Sequence, residues 1–464
     1  MVRRAATPLA AGRRRGYSLP SMTQSFDLII RGGVAATVNG IHPADIGVRD
    51  GRIAAIGKVE GSAPSVITAQ GLHVLPGVID TQVHFREPGL EHKEDLATGT
   101  KAAVLGGVTT VFEMPNTNPN TQTEADLADK LSRAEGRAWT DIAFFIGAAE
   151  SNFDRLAALE LLPGCAGVKL FMGSSTGNLL VADDDEIATV LRAGRRCVAI
   201  HAEDEPRLRE RVKLARDSGR VDQHPVWRDA ETALLATRRA IGLARAAGRR
   251  IHVLHVSTAA EMTLLGEHKD IATVEVTPQH LTLAAPDCYE KLGTLAQMNP
   301  PIRNEAERAG LWLAVQQGIV DCLGSDHAPH TLEEKAKPYP TSPSGMPGVQ
   351  TLLPLMLDHV NAGRLTLERL VDLTSAGPAR VYGIAGKGRI AVGYDADFTL
   401  VDLGATHRIE NRWIASRCGW TPFDGVTVKG WPAMTILRGA VAMREDEVVG
   451  APAGRPVRFT ETLG

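Results

Sequence analysis

The chain has 464 residues, a formal net charge of −3, five cysteines and 44% hydrophobic residues. That length can bury one large α/β barrel with an appendage, or two or three ordinary domains, and the near-neutral charge excludes a surface devoted to nucleic acid. No apolar run of about 18 residues occurs, so no membrane span is expected. Cys165, Cys197, Cys288, Cys322 and Cys418 are odd in number, scattered and without a CxxC pair, which argues against a disulfide framework and a cysteine zinc knuckle.

The stretch up to Met22 differs from the rest of the chain: Arg3, Arg4, Arg13, Arg14 and Arg15 sit among Ala and Pro with no acid. A transit-like segment, a disordered leader and a start set upstream of Met22 share this composition, and residues 1–24 are read as a disordered leader. The absence of a secretory apolar region makes a cytoplasmic protein the expectation. From Phe26, FDLIIRGG and DIGVRDGRIAAIG read as short strands with a tight turn at Asp50-Gly51. The same texture returns in YDADFTLVDL and AMTILRGAVAMRE, so residues 25–75 and 385–464 are expected to form one small β-sandwich domain. Between them, over 76–384, apolar runs occur at VLPGVID, VTTVFEM, DIAFFIG, AGVKLFM, CVAIHA, RIHVLHV, IATVEV and VDCLGS. Helical patterns such as LATGTKAAVLGG and ETALLATRRAIGLARAAG separate most of them. Eight strands alternating with helices predict an α/β fold, a catalytic (β/α)8 barrel.

Active sites of such barrels lie at the carboxyl ends of the strands, so the residues closing each run carry the chemistry. The first run ends in Gln82, His84 and Arg86, the second in Asn116; the fourth carries Lys169, the fifth ends at His201, the sixth at His255 and the eighth at Asp326. A single strand-end histidine is usually a core residue with a satisfied hydrogen bond. Three histidines, an aspartate and a lysine converging from five strand ends point instead to a metal site.

The run PGVIDTQVHFREPG resembles the metal-binding signature of the amidohydrolase superfamily, and with EMPNTNP, GVKLFM, HAED, HVLHVST, NPPIR and GSDHAPH the chain from Phe26 onward resembles the class I dihydroorotases. The resemblance implies reversible cyclisation of N-carbamoyl-L-aspartate to L-dihydroorotate by a metal-activated hydroxide, a step of pyrimidine biosynthesis. It implies a metal-ligand set of His84, Lys169, His201, His255 and Asp326, one or two Zn2+ per chain, a Lys169 that can be carboxylated to bridge two metals, and Asp326 as general base and acid. Arg86, Asn116, Asn299 and His330 match residues that hold the substrate, and a guanidinium fork suits its carboxylate. A small-molecule substrate and a homo-oligomer are further expectations, with neither nucleic acid nor membrane as a partner. His252, deeper on the strand that ends in His255, and Gln279 are left without a role.

The chain departs from the family at Gln82, where His is usual. An amide oxygen is a poorer zinc ligand than imidazole, so one metal, or a weakly held second, is expected. Two alternatives stand beside the dihydroorotase reading. Hydantoinases and allantoinases share the barrel and ligands, but their substrates need no carboxylate clamp, which Arg86 and Asn116 supply here. A catalytically inactive structural partner of aspartate carbamoyltransferase would be expected to have lost more than one ligand.

Overall fold

The computed structural model describes residues 24–174 and 179–463, so the expected leader lies outside the described residues except for Gln24, which opens a strand paired with Gly61. All eight runs form strands: β1 (Val78–Val83), β2 (Val108–Glu113), β3 (Asp141–Gly147), β4 (Cys165–Phe171), β5 (Val198–His201), β6 (Ile251–Val253), β7 (Ala272–Val276) and β8 (Cys322–Leu323). They pair in parallel and in chain order. Every residue in them is buried, which explains why the sequence shows continuous apolar runs rather than alternation. The ring closes just past β8, where Val83 bridges to His327 and the His84 amide donates to the His327 carbonyl at 2.7 Å.

The intervening helices face the strands with small or aliphatic stripes. In the helix Ala230–Ala247 the buried face runs through Ala233, Ala236, Ala240 and Ala244, a spacing of three and four residues that puts them on one side. Asp229 caps its start by accepting from the Thr232 amide, and Gly248 ends it in the left-handed conformation at φ 67°.

The terminal regions form three further sheets, the smallest pairing Gln24–Ser25 with Gly61–Ser62 in parallel. A seven-stranded sheet runs in the order Glu447–Val448, Ala440–Arg444, Thr427–Leu437, Phe398–Arg408, His73–Pro76, Val34–Thr37 and Gly40–Pro43, mixing strands from both ends of the chain. A four-stranded sheet orders Arg52–Gly57, Asp45–Arg49, Leu28–Arg31 and Ser65–Thr68. Ile30, Ile46, Val74, Phe398, Leu400 and Ile436 pack in the common core of this sandwich. Asp50 and Gly51, at φ 52° and 71°, make the turn read from the sequence, with Arg49 pairing to Arg52.

Polar ties fix the sandwich to the barrel. Thr399 and Thr435 hydroxyls donate to the carbonyls of Gly107 and Val104 at 2.7 and 2.8 Å. Lys387 is buried between Asp141, at the start of β3, and Asp397, with Asp141 at 2.6 Å. At the amino-terminal end of the barrel the chain's last residues form a plug: Val457 and Phe459 join Tyr382, Ile79, Phe112 and Phe145 in one buried cluster. Phe112 packs edge-to-face on both Phe145 and Phe459, with ring centroids 6.1 and 5.6 Å apart. Phe459→Ala would open a cavity there and is expected to lower stability by about 3–5 kcal/mol, read as a lower urea midpoint at unchanged slope.

Candidate active site at the barrel rim

Gln82, His84, Arg86, Asn116, Lys169, His201, His255, Asn299 and Asp326 all line one pocket at the carboxyl ends of the strands. The backbone there is strained. Seven non-glycine residues have positive φ among the described residues, and four occupy hairpin turns of the sandwich. The other three are Arg86 at 65°, His255 at 38° and Asp326 at 43°. Such conformations cost of order 1–3 kcal/mol each and persist where the surroundings hold them.

The ligand-type atoms fall into two pairs. His84 Nδ1 donates to Asn116 Oδ1 at 2.8 Å, which leaves Nε2 as a bare lone pair, and this nitrogen faces Asp326 Oδ1 at 3.2 Å. His201 Nε2 donates to Glu203 Oε2 at 2.9 Å, so its Nδ1 lone pair faces His255 Nε2 at 3.0 Å. Burial pushes the pKa of all three imidazoles down, so at neutral pH each is neutral: His84 Nε2 and Asp326 Oδ1 are acceptors face to face, while His255 Nε2 can donate to the His201 Nδ1 lone pair. Burial would raise the Asp326 carboxyl, but the contact with His84, with His255 and His201 beyond it, outweighs burial and holds it well below the usual carboxylate range. Acceptors aimed at one another in a dry site are what a cation reconciles, and the outer donations to Asn116 and Glu203 are the kind that orient metal-bound histidines. The donor set fits a metal.

Lys169 lies beside both pairs. Its Nζ is buried without a hydrogen-bond partner, 4.5 Å from the Phe171 ring centre. Burial depresses its pKa to about 7, so a large fraction is free amine near neutral pH. Gln82 points its amide nitrogen at Asp326 Oδ1, 3.1 Å away, and its Oε1 has no partner. Among the described residues a tight group of three His, Cys or carboxylate side chains occurs elsewhere: His252, Glu275 and Cys322, within 4.8 Å of one another, lie one layer deeper in the barrel.

The polar wall opposite carries a buried guanidinium. Arg86, 1% exposed, donates from Nε to the Pro329 carbonyl at 3.2 Å, while Nη1 has no partner. His330 stands behind Arg86 rather than on the pocket wall, with its Nε2 3.3 Å from Nη2. Burial, reinforced by Arg86 and Lys93, takes His330 down to about 3, so it adds no second positive charge. Trp420, from the sandwich side of the chain, anchors that loop by donating to the His330 carbonyl at 2.8 Å. Asn299 Oδ1 accepts from His224 Nε2 at 3.0 Å, and His224 Nδ1 lies 3.2 Å from the Tyr339 hydroxyl. That chain leaves the Asn299 amide nitrogen for the pocket. Gly345, at φ 135°, lets the wall close on Ala328, whose carbonyl oxygen a Cβ would meet at 2.4 Å.

Sequence reasoning missed Glu203, Arg228 and His224. Burial would raise Glu203, but the Arg228 guanidinium at 2.5 Å and His201 hold it well below its ordinary 4.5. Glu203 comes two residues after His201 in HAED, a signal at hand; Arg228 and His224 carry none in the sequence.

A barrel whose rim gathers imidazoles, a carboxylate and an unpartnered lysine defines the class of metal-dependent hydrolases. A profile of the amidohydrolase family matches residues 73–442, and one of the urease alpha-subunit N-terminal domain matches residues 13–77. The chain is 36% identical over 442 residues to a dihydroorotase of Methanosarcina mazei, covering 92% of this chain and 96% of that protein. It is 35% identical over 449 residues to an allantoinase of Solibacter usitatus, covering 93% and 97%. The L-hydantoinase (dihydropyrimidinase) structure from Arthrobacter aurescens superposes with a TM-score of 0.89 at 31% identity, covering 93% of this chain and 99% of that one. The chain belongs to the amidohydrolase family.

Replacing Arg228 by Met would leave Glu203 as a buried, uncompensated charge, and a loss of about 3–5 kcal/mol is expected. Because the folded pKa of Glu203 is depressed, its contribution in the wild type is present above 4.5 and is lost as the pH falls below that value. Urea midpoints measured between neutral and acidic pH should therefore converge for the two proteins.

Proposed function

We propose that the chain is a dihydroorotase, interconverting N-carbamoyl-L-aspartate and L-dihydroorotate. The observation that carries this reading is Arg86: a guanidinium buried in the same pocket as the metal-type donors, with one nitrogen unpartnered. A substrate carboxylate compensates it with two charge-assisted hydrogen bonds. An uncharged cyclic amide would leave a buried cation facing nothing, at a cost of several kcal/mol. The archaeal dihydroorotase relative supports the reading, and the allantoinase and hydantoinase relatives make another cyclic amidase the second reading.

In the ring-opening direction Arg86 takes the carboxylate, and Asn116 and Asn299 border the ring. Asp326, ionised and turned into the pocket by its strained backbone, accepts the proton of the attacking water and delivers it to the departing ring nitrogen. Lys169, as a free amine, could add CO2 at Nζ with loss of a proton. His201, His255 and Lys169, with His84 and Asp326, would hold Zn2+, which when bound would polarise the carbonyl and lower the pKa of water. Gln82 donates to Asp326 where a ligand would have to accept, so the His84–Asp326 pair would hold a cation more weakly than the His201–His255 pair.

Asp326→Asn should retain the fold by circular dichroism and lose about 10²–10⁴-fold in turnover of dihydroorotate, the range for removing a general base; a variant with near wild-type turnover would falsify the role. Arg86→Lys keeps the charge but loses the planar fork. It should raise KM for dihydroorotate and carbamoyl aspartate far more than for an uncharged hydantoin, and equal effects would favour the second reading. Gln82→His should raise metal retained after dialysis, because imidazole replaces a competing donor beside His84. A wild type already holding two tightly bound ions per chain defeats that premise.

A further inference from the structure

Beneath the rim, in the layer of barrel-interior side chains, lies the cluster His252, Glu275 and Cys322, from β6, β7 and β8. The dihydroorotase reaction uses none of them, and all three are fully buried. Their hydrogen bonds fix which atoms are free. His252 Nδ1 lies 2.8 Å from Thr273 Oγ1, and in the tautomer with Nδ1 as donor the Thr273 hydroxyl donates onward to the Ile251 carbonyl at 3.3 Å. That tautomer leaves His252 Nε2 as a lone pair, 3.5 Å from Cys322 Sγ and 3.6 Å from Glu275 Oε2. Glu275 Oε2 accepts from the Thr81 hydroxyl at 2.8 Å and lies 4.0 Å from Cys322 Sγ. Glu275 Oε1 is buried and has no partner.

We propose that His252, Glu275 and Cys322 form a second, structural cation site, separate from the catalytic rim and suited to a zinc-like divalent ion. The three separations of 3.5, 3.6 and 4.0 Å lie close to the roughly 3.3–3.6 Å edges that tetrahedral Zn–N, Zn–O and Zn–S bonds would give. The nitrogen, oxygen and sulfur set is one that zinc accepts. Both outer contacts, His252 to Thr273 and Thr81 to Glu275, are the supporting bonds that metal ligands use. The unpartnered Glu275 Oε1 can complete the coordination.

Charge favours occupancy. A neutral imidazole, a thiolate and a carboxylate sum to −2, so a divalent ion makes the buried layer neutral, whereas the carboxylate alone leaves an uncompensated charge in a dry core. As the sulfur–metal bond forms, the Cys322 S–H bond breaks and its proton leaves to solvent. The competing arrangement is metal-free, with the Cys322 thiol donating to His252 Nε2. No strand-end candidate at the rim is a cysteine, so sulfur coordination that Cys322→Ser removes reports this site and not the rim, and its test is independent of the dihydroorotase reading.

The decisive measurement is zinc K-edge absorption on the purified, zinc-loaded wild type. The expected result is a sulfur shell at about 2.3 Å beside the nitrogen and oxygen shells. Cobalt-loaded protein should likewise show a near-ultraviolet sulfur-to-cobalt charge-transfer band. Cys322→Ser should remove both signals and reduce bound metal by about one ion per chain. A wild-type spectrum fitted by nitrogen and oxygen alone, with no charge-transfer band in the cobalt protein, overturns the proposal, whether or not the variant folds.

Discussion

A barrel strand buried on both faces can present a polar side chain to a ligand only near its end. That constraint crowds His84, Lys169, His201, His255 and Asp326 onto one rim, and it also dehydrates them. Dehydration strips protons from the imidazoles and the lysine, while Asn116 and Glu203 hold two of the imidazoles with their lone pairs facing inward. Such a rim sets unpaired acceptors and a buried guanidinium close together in a dry pocket. The surrounding fold must therefore be stable without help from its site. It draws that stability from the aliphatic barrel core, the aromatic plug and the polar ties to the sandwich.

Those ties reach the chemistry as well as the base of the barrel. Glu94 accepts from His327, the residue after Asp326, at 3.3 Å, and also from Ser416. Trp420 anchors His330 behind Arg86. The segment just after Phe398–Arg408 thus braces the backbone next to Asp326 and behind Arg86. In this arrangement the sandwich is part of the machinery that sets side-chain geometry, acting at one remove from substrate.

The eight barrel strands were legible because burial on both faces writes itself as uninterrupted apolar runs; even β8, reduced to Cys322–Leu323, is preceded and followed by enough of its run to be read. The rim residues were legible because strand ends are identifiable once strands are. Arg228 was not, because it lies 25 residues beyond Glu203 in sequence and pairs with it only through the return of the chain after the helix Glu205–Ser218. No periodicity encodes such a pair. The plug of Val457 and Phe459 escaped for a related reason: a short segment rich in Arg and Pro shows no pattern, and its burial is decided wholly by what it meets. That the chain's two ends build one sandwich was legible from their shared texture; which strand pairs with which was not, since local texture shows a strand but not its neighbour.

The left-handed backbone at Arg86, His255 and Asp326 has an evolutionary consequence. At each position glycine, or in part asparagine, would relax the main chain, so the substitutions that ease folding most are those that delete the side chain the pocket requires. Thermal robustness and turnover therefore pull in opposite directions at these sites. A lineage adapting to heat would have to gain its margin elsewhere, in the helix caps, the sandwich turns or the aromatic base, and leave the three strained residues in place.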